Sequence, residues 1–259
     1  MKRVSLSAVL LTAALLLSGC TNISDRALTG TEQGAEEDYI PGVGGDLLII
    51  ETGGDSEPPT PGIQSIYEFS PQQESFISSC LFMGDSICSG FGVYGFSRNC
   101  YAKAGVAARN ILEFTFDSGG YQVGPLTTLV NSGAENLVFL MGTNDVNMVS
   151  AEEYANYYGD FLSKVESACS GVNIYVISVT PVTDESDFCY NYMLDDLNDR
   201  LKAMTESSSR PRHYIDAASL LKNDDGALRD IYSAGDGIHL SRSAYYAILH
   251  ALCAGAGIS

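Results

Sequence analysis

The stretch CLFMGDS, residues 80–86, consists of four apolar residues followed by Gly84, Asp85 and Ser86. A second stretch, LVFLMGTND at residues 137–145, repeats this arrangement with five apolar residues, a glycine and a polar end. Short apolar runs that stop at a glycine are typical of buried strands in a parallel sheet. We therefore predict two buried strands whose carboxyl ends carry polar side chains.

The rest of the chain from about residue 73 alternates strand-like and helix-like segments. Further strands are predicted at residues 99–102, 174–179 and 214–215, and helices at residues 126–131, 150–169, 192–205 and 241–253. The βαβαβα order predicts an α/β fold, a three-layer α/β/α sandwich of about five parallel strands. Ligands of such sheets bind at the carboxyl ends of the strands, so functional residues are expected directly after residues 83, 141 and 179.

Composition and charge limit the class of protein. The 259 residues, 45% of them hydrophobic, are enough for one sizeable domain and a tail. The formal net charge of -18 would repel a nucleic acid rather than bind it. Apolar runs of 18 or more residues do not occur after the first twenty positions, which excludes a protein that crosses a membrane several times.

The first twenty residues have the pattern of an export signal. Lys2 and Arg3 precede an apolar run over residues 4–17, and the sequence LSGC ends at Cys20. This segment resembles a bacterial lipoprotein signal peptide, which implies cleavage before Cys20 and a diacylglyceryl group on its sulfur. Such an anchor would hold the protein at the cell surface, on the outer side of a bacterial membrane. The alternative is an ordinary secretory signal with an incidental cysteine.

The segment after Cys20 has the composition of a flexible linker. Residues 21–61 are rich in Gly, Pro, Ser and Thr and hold nine acidic residues against one basic residue, Arg26. Such a segment buries too little apolar surface to fold. We predict a signal peptide over residues 1–19, a lipid-anchored acidic linker over 20–62 and one folded domain over 63–259. The apolar run at residues 47–50 could dock on the domain or stay unpaired.

Polar groups after the predicted strands and before the last helix could act together in catalysis. Ser86 is inert as a nucleophile unless a base lies within hydrogen-bond reach. Asp236 stands three residues before His239, so its carboxylate can fold back onto the imidazole Nδ1 and leave Nε2 free to take the Ser86 proton. An oxyanion would also need preorganised donors. Candidate donors are the backbone N–H groups of Ser86 and Gly105 and the side-chain amide of Asn144.

These residues carry a resemblance to a known family. The blocks GDS at 84–86, Gly105, GTND at 142–145 and DGIH at 236–239 resemble the four blocks of the SGNH or GDSL-type hydrolases over about residues 78–254. The resemblance implies a flavodoxin-like SGNH hydrolase fold and a serine esterase that needs neither a metal nor an organic cofactor. It implies Ser86, His239 and Asp236 as the catalytic triad. It also implies Ser86, Gly105 and Asn144 as the oxyanion hole.

Other patterns carry less weight. Residues 90–95 spell G-x-G-x-x-G, but no helical periodicity follows, so a flexible loop beside the active site is expected instead of a dinucleotide site. The α/β-hydrolase elbow G-x-S-x-G would need a glycine where Cys88 stands. Six cysteines follow Cys20 without C-x-x-C spacing, which disfavours zinc and leaves a Cys88–Cys100 disulfide as one of several pairings. His213 and His250 are expected to be packed or surface residues.

The sequence thus predicts an exported, lipid-anchored serine esterase that works through an acyl-enzyme. The expected partners are a small acyl ester or acylated glycan as substrate and a membrane through the N-terminal lipid, with no nucleic acid and an open oligomeric state. The predicted location at the cell surface and the acidic domain favour, as substrates, small O-acyl groups on extracellular carbohydrate or cell-wall polymer. The alternatives are a lysophospholipase or thioesterase acting on lipid esters, and a noncatalytic surface-binding protein on a hydrolase scaffold. Asp85 and Asp145 are expected to fix loops.

Overall fold

The computed structural model describes residues 67–259. The predicted signal peptide, Cys20, the acidic linker and the apolar run at residues 47–50 all lie outside this described part. Between residues 67 and 259, the structure contains no helix that is both long enough and apolar enough to span a membrane.

A five-stranded parallel sheet forms the centre of the domain. In chain order the strands are β1 (Cys80–Gly84), β2 (Cys100–Ala102), β3 (Phe116–Ser118), β4 (Tyr121–Val123), β5 (Asn136–Leu140), β6 (Asn173–Ile177) and β7 (Arg212–Ile215). The parallel sheet has the order β2-β1-β5-β6-β7, while β3 and β4 pair as a separate antiparallel hairpin. The predicted α/β class with about five parallel strands is confirmed.

Helices cover both faces of this sheet. They are α1 (Pro71–Ser79), α2 (Gly90–Val93), α3 (Pro125–Ser132), α4 (Ala151–Ala168), α5 (Asn191–Glu206), α6 (Ala217–Leu221) and α7 (Arg242–Gly255). α4 begins with a capping box: Ser150 Oγ accepts from the Glu153 N–H at 3.3 Å, and the Glu153 carboxylate accepts from the Ser150 N–H at 2.9 Å. These reciprocal bonds satisfy backbone donors at the start of the helix.

Alternating side chains on each strand feed two separate hydrophobic cores. On β1, Leu81 and Met83 face one core, Cys80 and Phe82 face the other, and all four are fully buried. Residues of α4 and α5 complete the first core, and residues of α1 and α7 complete the second. A strand buried on both faces reads as a continuous apolar run, which is why the sequence showed no alternation there.

The structure differs from the sequence prediction in several elements. β6 ends at Ile177, two residues before the predicted end, because the side chain of Asn198 bonds both the N–H and the C=O of Val179 at 2.7 and 2.8 Å. An amide side chain from α5 therefore takes the place of a strand partner. The prediction also placed no element at α1, at α6 or at the β3–β4 hairpin.

Candidate active site

Ser86 lies at the carboxyl end of β1, in the turn that leads to α2. Gly84 makes this turn possible, because β1 and β5 approach so closely that a Cβ atom on residue 84 would lie 1.8 Å from the carbonyl oxygen of Leu140. Ser86 is partly exposed, and its Oγ lies 3.0 Å from Nε2 of His239. The hydroxyl is therefore open to a substrate and bonded to a potential base.

The turn before α7 holds His239 in one orientation. Asp236 Oδ2 accepts a hydrogen bond from His239 Nδ1 at 2.6 Å, while Oδ1 accepts from the backbone N–H groups of Ile238 and His239 at 3.0 and 2.7 Å. Gly237 allows the turn with a φ of 81°, a conformation that other residues rarely adopt. Because Nδ1 donates to the carboxylate, the lone pair of Nε2 faces Ser86.

The surroundings of Asp236 keep its carboxylate ionised. Partial burial would raise its pKa, but hydrogen bonds from the backbone of Ile238 and from the backbone and ring of His239 outweigh burial and hold the pKa below its usual value. An ionised carboxylate stabilises the imidazolium that forms when His239 takes a proton. The side chains of His239 and Asp236 are 43% and 53% exposed, so the site is open to solvent on this side.

Asp85 is fully buried next to Ser86 and joins two loops. Its carboxylate accepts hydrogen bonds from the N–H groups of Ile87 and Cys88 in its own turn, at 2.9 and 3.4 Å. It also accepts from the N–H of Gly142, in the loop after β5, at 3.2 Å. Burial raises the pKa of Asp85 to about 6, although these hydrogen bonds act in the opposite direction.

Asp145 is also fully buried and joins the loop after β5 to the segment after β2. It accepts from the N–H of Ala108 at 2.7 Å and from the guanidinium of Arg109 at 3.0 Å. Burial raises the pKa of Asp145 against the opposing effect of these hydrogen bonds and of the Arg109 charge. Asp85 and Asp145 therefore fix loops, the task that the sequence analysis expected of them.

In the described part of the chain, three N–H donors near the Ser86 turn form no hydrogen bond with another protein group. Asn144 uses one amide hydrogen to bond the Val106 carbonyl at 2.8 Å, which leaves the second available. The Lys103 N–H bonds the Gly84 carbonyl at 3.2 Å, so the segment with Gly105 runs beside the Ser86 turn. Within residues 67–259, the backbone N–H groups of Ser86 and Gly105 donate to no other protein group. All three predicted oxyanion donors thus remain free to bind an anion.

This arrangement suits acyl transfer. A hydroxyl, an imidazole and a carboxylate form one chain of hydrogen bonds, and the three unused donors belong to the Ser86 turn and to the two loops attached to it. In the part of the chain that the structure describes, no three His, Cys, Asp or Glu side chains are grouped so that they could hold a metal ion.

Residues 90–95 do not form the flexible loop that the sequence predicted. Gly90–Val93 is the helix α2, in which Gly90 and Phe91 are buried. A Cβ atom on residue 90 would lie 2.0 Å from the ring of Tyr245, so glycine permits close packing of α2 against α7. The glycine pattern in this segment therefore serves packing and a turn.

The described cysteines, Cys80 to Cys253, are all free thiols. Cys100 Sγ lies 3.4 Å from the carbonyl oxygen of Cys88, so the two residues considered for a disulfide are neighbours but are not bonded. His213 stacks on Tyr175 with ring centroids 4.9 Å apart, which agrees with the packed position expected for this histidine.

Sequence reasoning missed one contributor to the site, Arg109, and the steric reason for a second, Gly142. Arg109 donates to the backbone carbonyl of Asn144 at 2.6 Å in addition to pairing with Asp145. Gly142 has a φ of 146°, and a Cβ atom there would lie 2.5 Å from Val179 Cγ2. The sequence offered one signal for a role of Arg109: basic residues are few in this acidic chain, which has 14 Lys and Arg in total.

The fold and the site together define a class of protein. A parallel α/β domain that presents a serine, bonded through a histidine to an aspartate, has the machinery of a serine hydrolase that cleaves esters. The family model for the GDSL-like Lipase/Acylhydrolase family matches residues 82–247. The chain belongs to this family, which confirms the resemblance seen in the sequence, and it is an ester-hydrolysing serine hydrolase.

Solved structures with the same fold share little sequence with this chain. A Streptococcus pneumoniae protein whose name refers to platelet activating factor is 19% identical, with a TM-score of 0.54 over 72% of this chain and 89% of that chain. An α/β hydrolase from the metagenome of Lake Arreo, Spain, is 14% identical, with a TM-score of 0.51 over 74% and 98%. A GDSL-like lipase from Bacteroides thetaiotaomicron is 17% identical, with a TM-score of 0.50 over 67% and 84%. A search of curated protein sequences found no match.

Proposed function

We propose that the protein is an exported, lipid-anchored esterase that removes small acyl groups, such as acetyl, from extracellular carbohydrate or cell-wall polymer. The observation that carries the catalytic part is the hydrogen-bonded chain from Ser86 Oγ to His239 Nε2 and from His239 Nδ1 to Asp236, at 3.0 and 2.6 Å. These distances lie within the range for proton transfer between a nucleophile and its base.

Acylation begins at Ser86. Its Oγ attacks the carbonyl carbon of the ester while His239 Nε2 takes the hydroxyl proton, and Asp236 stabilises the imidazolium. The tetrahedral oxyanion accepts hydrogen bonds from the N–H groups of Ser86 and Gly105 and from the amide of Asn144. Collapse of the intermediate breaks the bond to the alcohol, which leaves with the proton from His239 and yields an acyl ester on Ser86.

Deacylation repeats these steps with water as the nucleophile. His239 Nε2 takes a proton from the water as its oxygen attacks the acyl carbon, and the same oxyanion donors stabilise the second intermediate. The proton then returns to Ser86 Oγ as the free acid leaves. His239 thus carries the proton of Ser86 to the alcohol and a proton of the water to Ser86, while Asp236 and the oxyanion donors stabilise the charges that form.

The proposed location rests on the N-terminal sequence. A signal peptide over residues 1–19, a lipidated Cys20 and a linker over residues 20–62 would tether the catalytic domain, residues 63–259, to the outer side of a membrane. Expression in bacteria fed an alkyne-labelled fatty acid tests this location. Label should appear on the membrane-bound wild-type protein and be absent from Cys20→Ser, and label on both proteins would contradict lipidation at Cys20.

The substrate preference rests on this location and on charge. The chain carries a net charge of -18, which disfavours approach to anionic lipid surfaces. The test compares the release of acid from O-acetylated oligosaccharides with that from lysophospholipids, with Ser86→Ala as the blank for each. Ser86-dependent release from the oligosaccharides supports the proposal, and release from the lysophospholipids alone would overturn it.

A further inference from the structure

The loop between β6 and α5, residues 178–190, lies at the same edge of the sheet as Ser86, because both follow the carboxyl end of a parallel strand. Asn191 closes the base of this loop. Its side chain accepts from the Val182 N–H at 2.9 Å and donates to the Val182 carbonyl at 2.8 Å. The loop therefore has fixed ends and a defined path.

Two hydrogen bonds attach this loop to opposite sides of the site. The Thr183 N–H donates to the carbonyl of Gly237, in the turn that carries the histidine, at 3.0 Å. The side-chain amide of Asn147, in the loop that carries the oxyanion amide, donates to the carbonyl of Phe188 at 2.7 Å. The loop thus spans from the triad turn to the oxyanion loop and borders the site.

Two tyrosines where this loop enters α5 present their rings to solvent. Tyr190 and Tyr192 are each 69% exposed, and their rings are nearly parallel, with an angle of 14° between planes and centroids 5.7 Å apart. We call this pair the tyrosine platform. Neither ring contributes to a hydrophobic core, so the two adjacent rings form an exposed apolar surface next to the site. Tyrosine suits such a surface because it offers a large, rigid ring at a small cost in conformational entropy.

The charge around the tyrosine platform selects among ligands. Asp184, Glu185 and Asp187 of the same loop are exposed, and residues 178–192 include no Lys or Arg. A phosphate or a uronate would be repelled by these three carboxylates. An uncharged sugar ring has the opposite properties: its C–H face can pack on a tyrosine ring while its hydroxyl groups stay in water.

We propose that the tyrosine platform binds the sugar rings of an uncharged O-acylated oligosaccharide and so places the acyl ester at Ser86. The inference rests on the proposed function and deepens it, since it assigns the surface that selects the carbohydrate. A lipid ester is the competing substrate. Its acyl chain would gain most from an enclosed apolar groove, whereas these rings are exposed to water at the end of a loop that carries three exposed carboxylates.

Kinetics on two substrates test the tyrosine platform. For the full chain, kcat/KM is measured on p-nitrophenyl acetate and on partly O-acetylated gluco-, xylo- and manno-hexaose. In Tyr190→Ala and Tyr192→Ala, the ratio of hexaose to small-ester kcat/KM should fall about tenfold for the preferred sugar, the loss expected for one aromatic contact. Tyr190→Phe, which keeps the ring, should retain most of the wild-type ratio.

Tyr121→Ala is the matched control. Tyr121 is 75% exposed but lies on β4, in the hairpin that contacts the edge strand β2, which β1 and β5 separate from β6 in the sheet. Its variant should keep the wild-type ratio. An unchanged ratio in both Tyr190→Ala and Tyr192→Ala, or an equal fall in Tyr121→Ala, would overturn the inference.

Calorimetry of unacetylated hexaoses with Ser86→Ala measures sugar binding in the absence of catalysis, and so tests the tyrosine platform separately from the proposed reaction. If Ser86→Ala binds a hexaose and the double variant with Tyr190→Ala does not, the tyrosine platform is supported. If the wild-type chain then fails to deacetylate the sugars, only the proposed reaction is wrong. A wild-type chain that cleaves the small ester but neither binds nor cleaves any hexaose would overturn the platform and leave the serine mechanism intact. Hydrolysis of lysophosphatidylcholine that depends on Tyr190, without sugar binding, would replace the carbohydrate by a lipid.

Discussion

The buried carboxylate of Asp85 accepts a hydrogen bond of 3.2 Å from the N–H of Gly142, 57 positions further along the chain. Asp145 forms a second link of this kind, to the N–H of Ala108 at 2.7 Å. The two aspartates therefore connect in series the three loops that carry the proposed nucleophile and its oxyanion donors. Because both carboxylates are fully buried, each loop is held by charge-assisted bonds in a medium of low dielectric constant.

Asp85 should make stability fall as pH rises. Its pKa in the folded chain is about 6 against an ordinary value of 3.8, so between these pH values the folded chain holds a proton that the unfolded chain has lost. Raising the pH through this window lowers the free energy of unfolding, by on the order of 3 kcal/mol. Urea unfolding of wild type and Asp85→Asn at about pH 4 and about pH 7.5 measures this effect. The variant should lack the loss, and an equal pH dependence in both proteins would contradict the assignment.

Asn144→Ala should lower kcat by about 100- to 1000-fold with little change in KM, since the free amide hydrogen serves an oxyanion present only in the transition state. Steady-state kinetics on p-nitrophenyl acetate measures both constants. Asn173→Ala is the control: it is an exposed asparagine at the amino end of β6, the opposite edge of the sheet from Ser86, its amide bonds Asn136 Oδ1 at 2.9 Å, and kcat on this small ester should stay near the wild-type value. An unchanged kcat in Asn144→Ala would remove this amide from the oxyanion hole.

Asp236→Asn should reduce kcat by on the order of 1000- to 10,000-fold, because a neutral amide can neither fix the His239 tautomer nor stabilise the imidazolium. Asp224→Asn changes an exposed aspartate outside the site and serves as the matched control. Kinetics and circular dichroism of both variants separate loss of catalysis from loss of folding. Activity within tenfold of wild type in folded Asp236→Asn would show that another group orients the histidine.

Gly142→Ala should destabilise the fold by about 2 kcal/mol more than Gly171→Ala. Both glycines have positive φ angles, 146° and 82°, so both variants incur backbone strain. Only at residue 142 would the new Cβ collide with neighbours, 2.5 Å from Val179 Cγ2 and 2.7 Å from Tyr154 Oη, whereas nothing lies within 4 Å at residue 171. Urea unfolding measures the difference, and equal losses in the two variants would contradict the packing argument.

The sequence predicted the central strands and the long helices because their signals are local. Four apolar residues before Gly84 and the Ser150 capping box each mark an element within a few positions. Other local signals were present, but the sequence analysis did not use them. Ser70, Pro71 and Gln73 begin α1 with a capping box. Gly119 and Gly120, with φ of 65° and 85°, form the turn of the β3–β4 hairpin.

Contacts between distant segments could not be predicted from local patterns. The bond from Asn198 to Val179 shortens β6, and the bonds from Arg109 to Asp145 and to the Asn144 carbonyl brace the oxyanion loop. Neither asparagine nor arginine has a spacing that marks such a role. The proposed triad could be predicted because Asp236 and His239 are three residues apart and Ser86 directly follows a strand. Each part therefore has a local signal, although the contact between Ser86 and His239 joins distant segments.

The central claim is that Ser86 is an activated nucleophile. Intact-mass measurement of the full chain before and after treatment with a fluorophosphonate, with Ser86→Ala as control, tests it directly. The account predicts one adduct on the wild-type chain and none on the variant. An adduct that persists in Ser86→Ala, or a folded wild-type chain that takes up no probe, would contradict it.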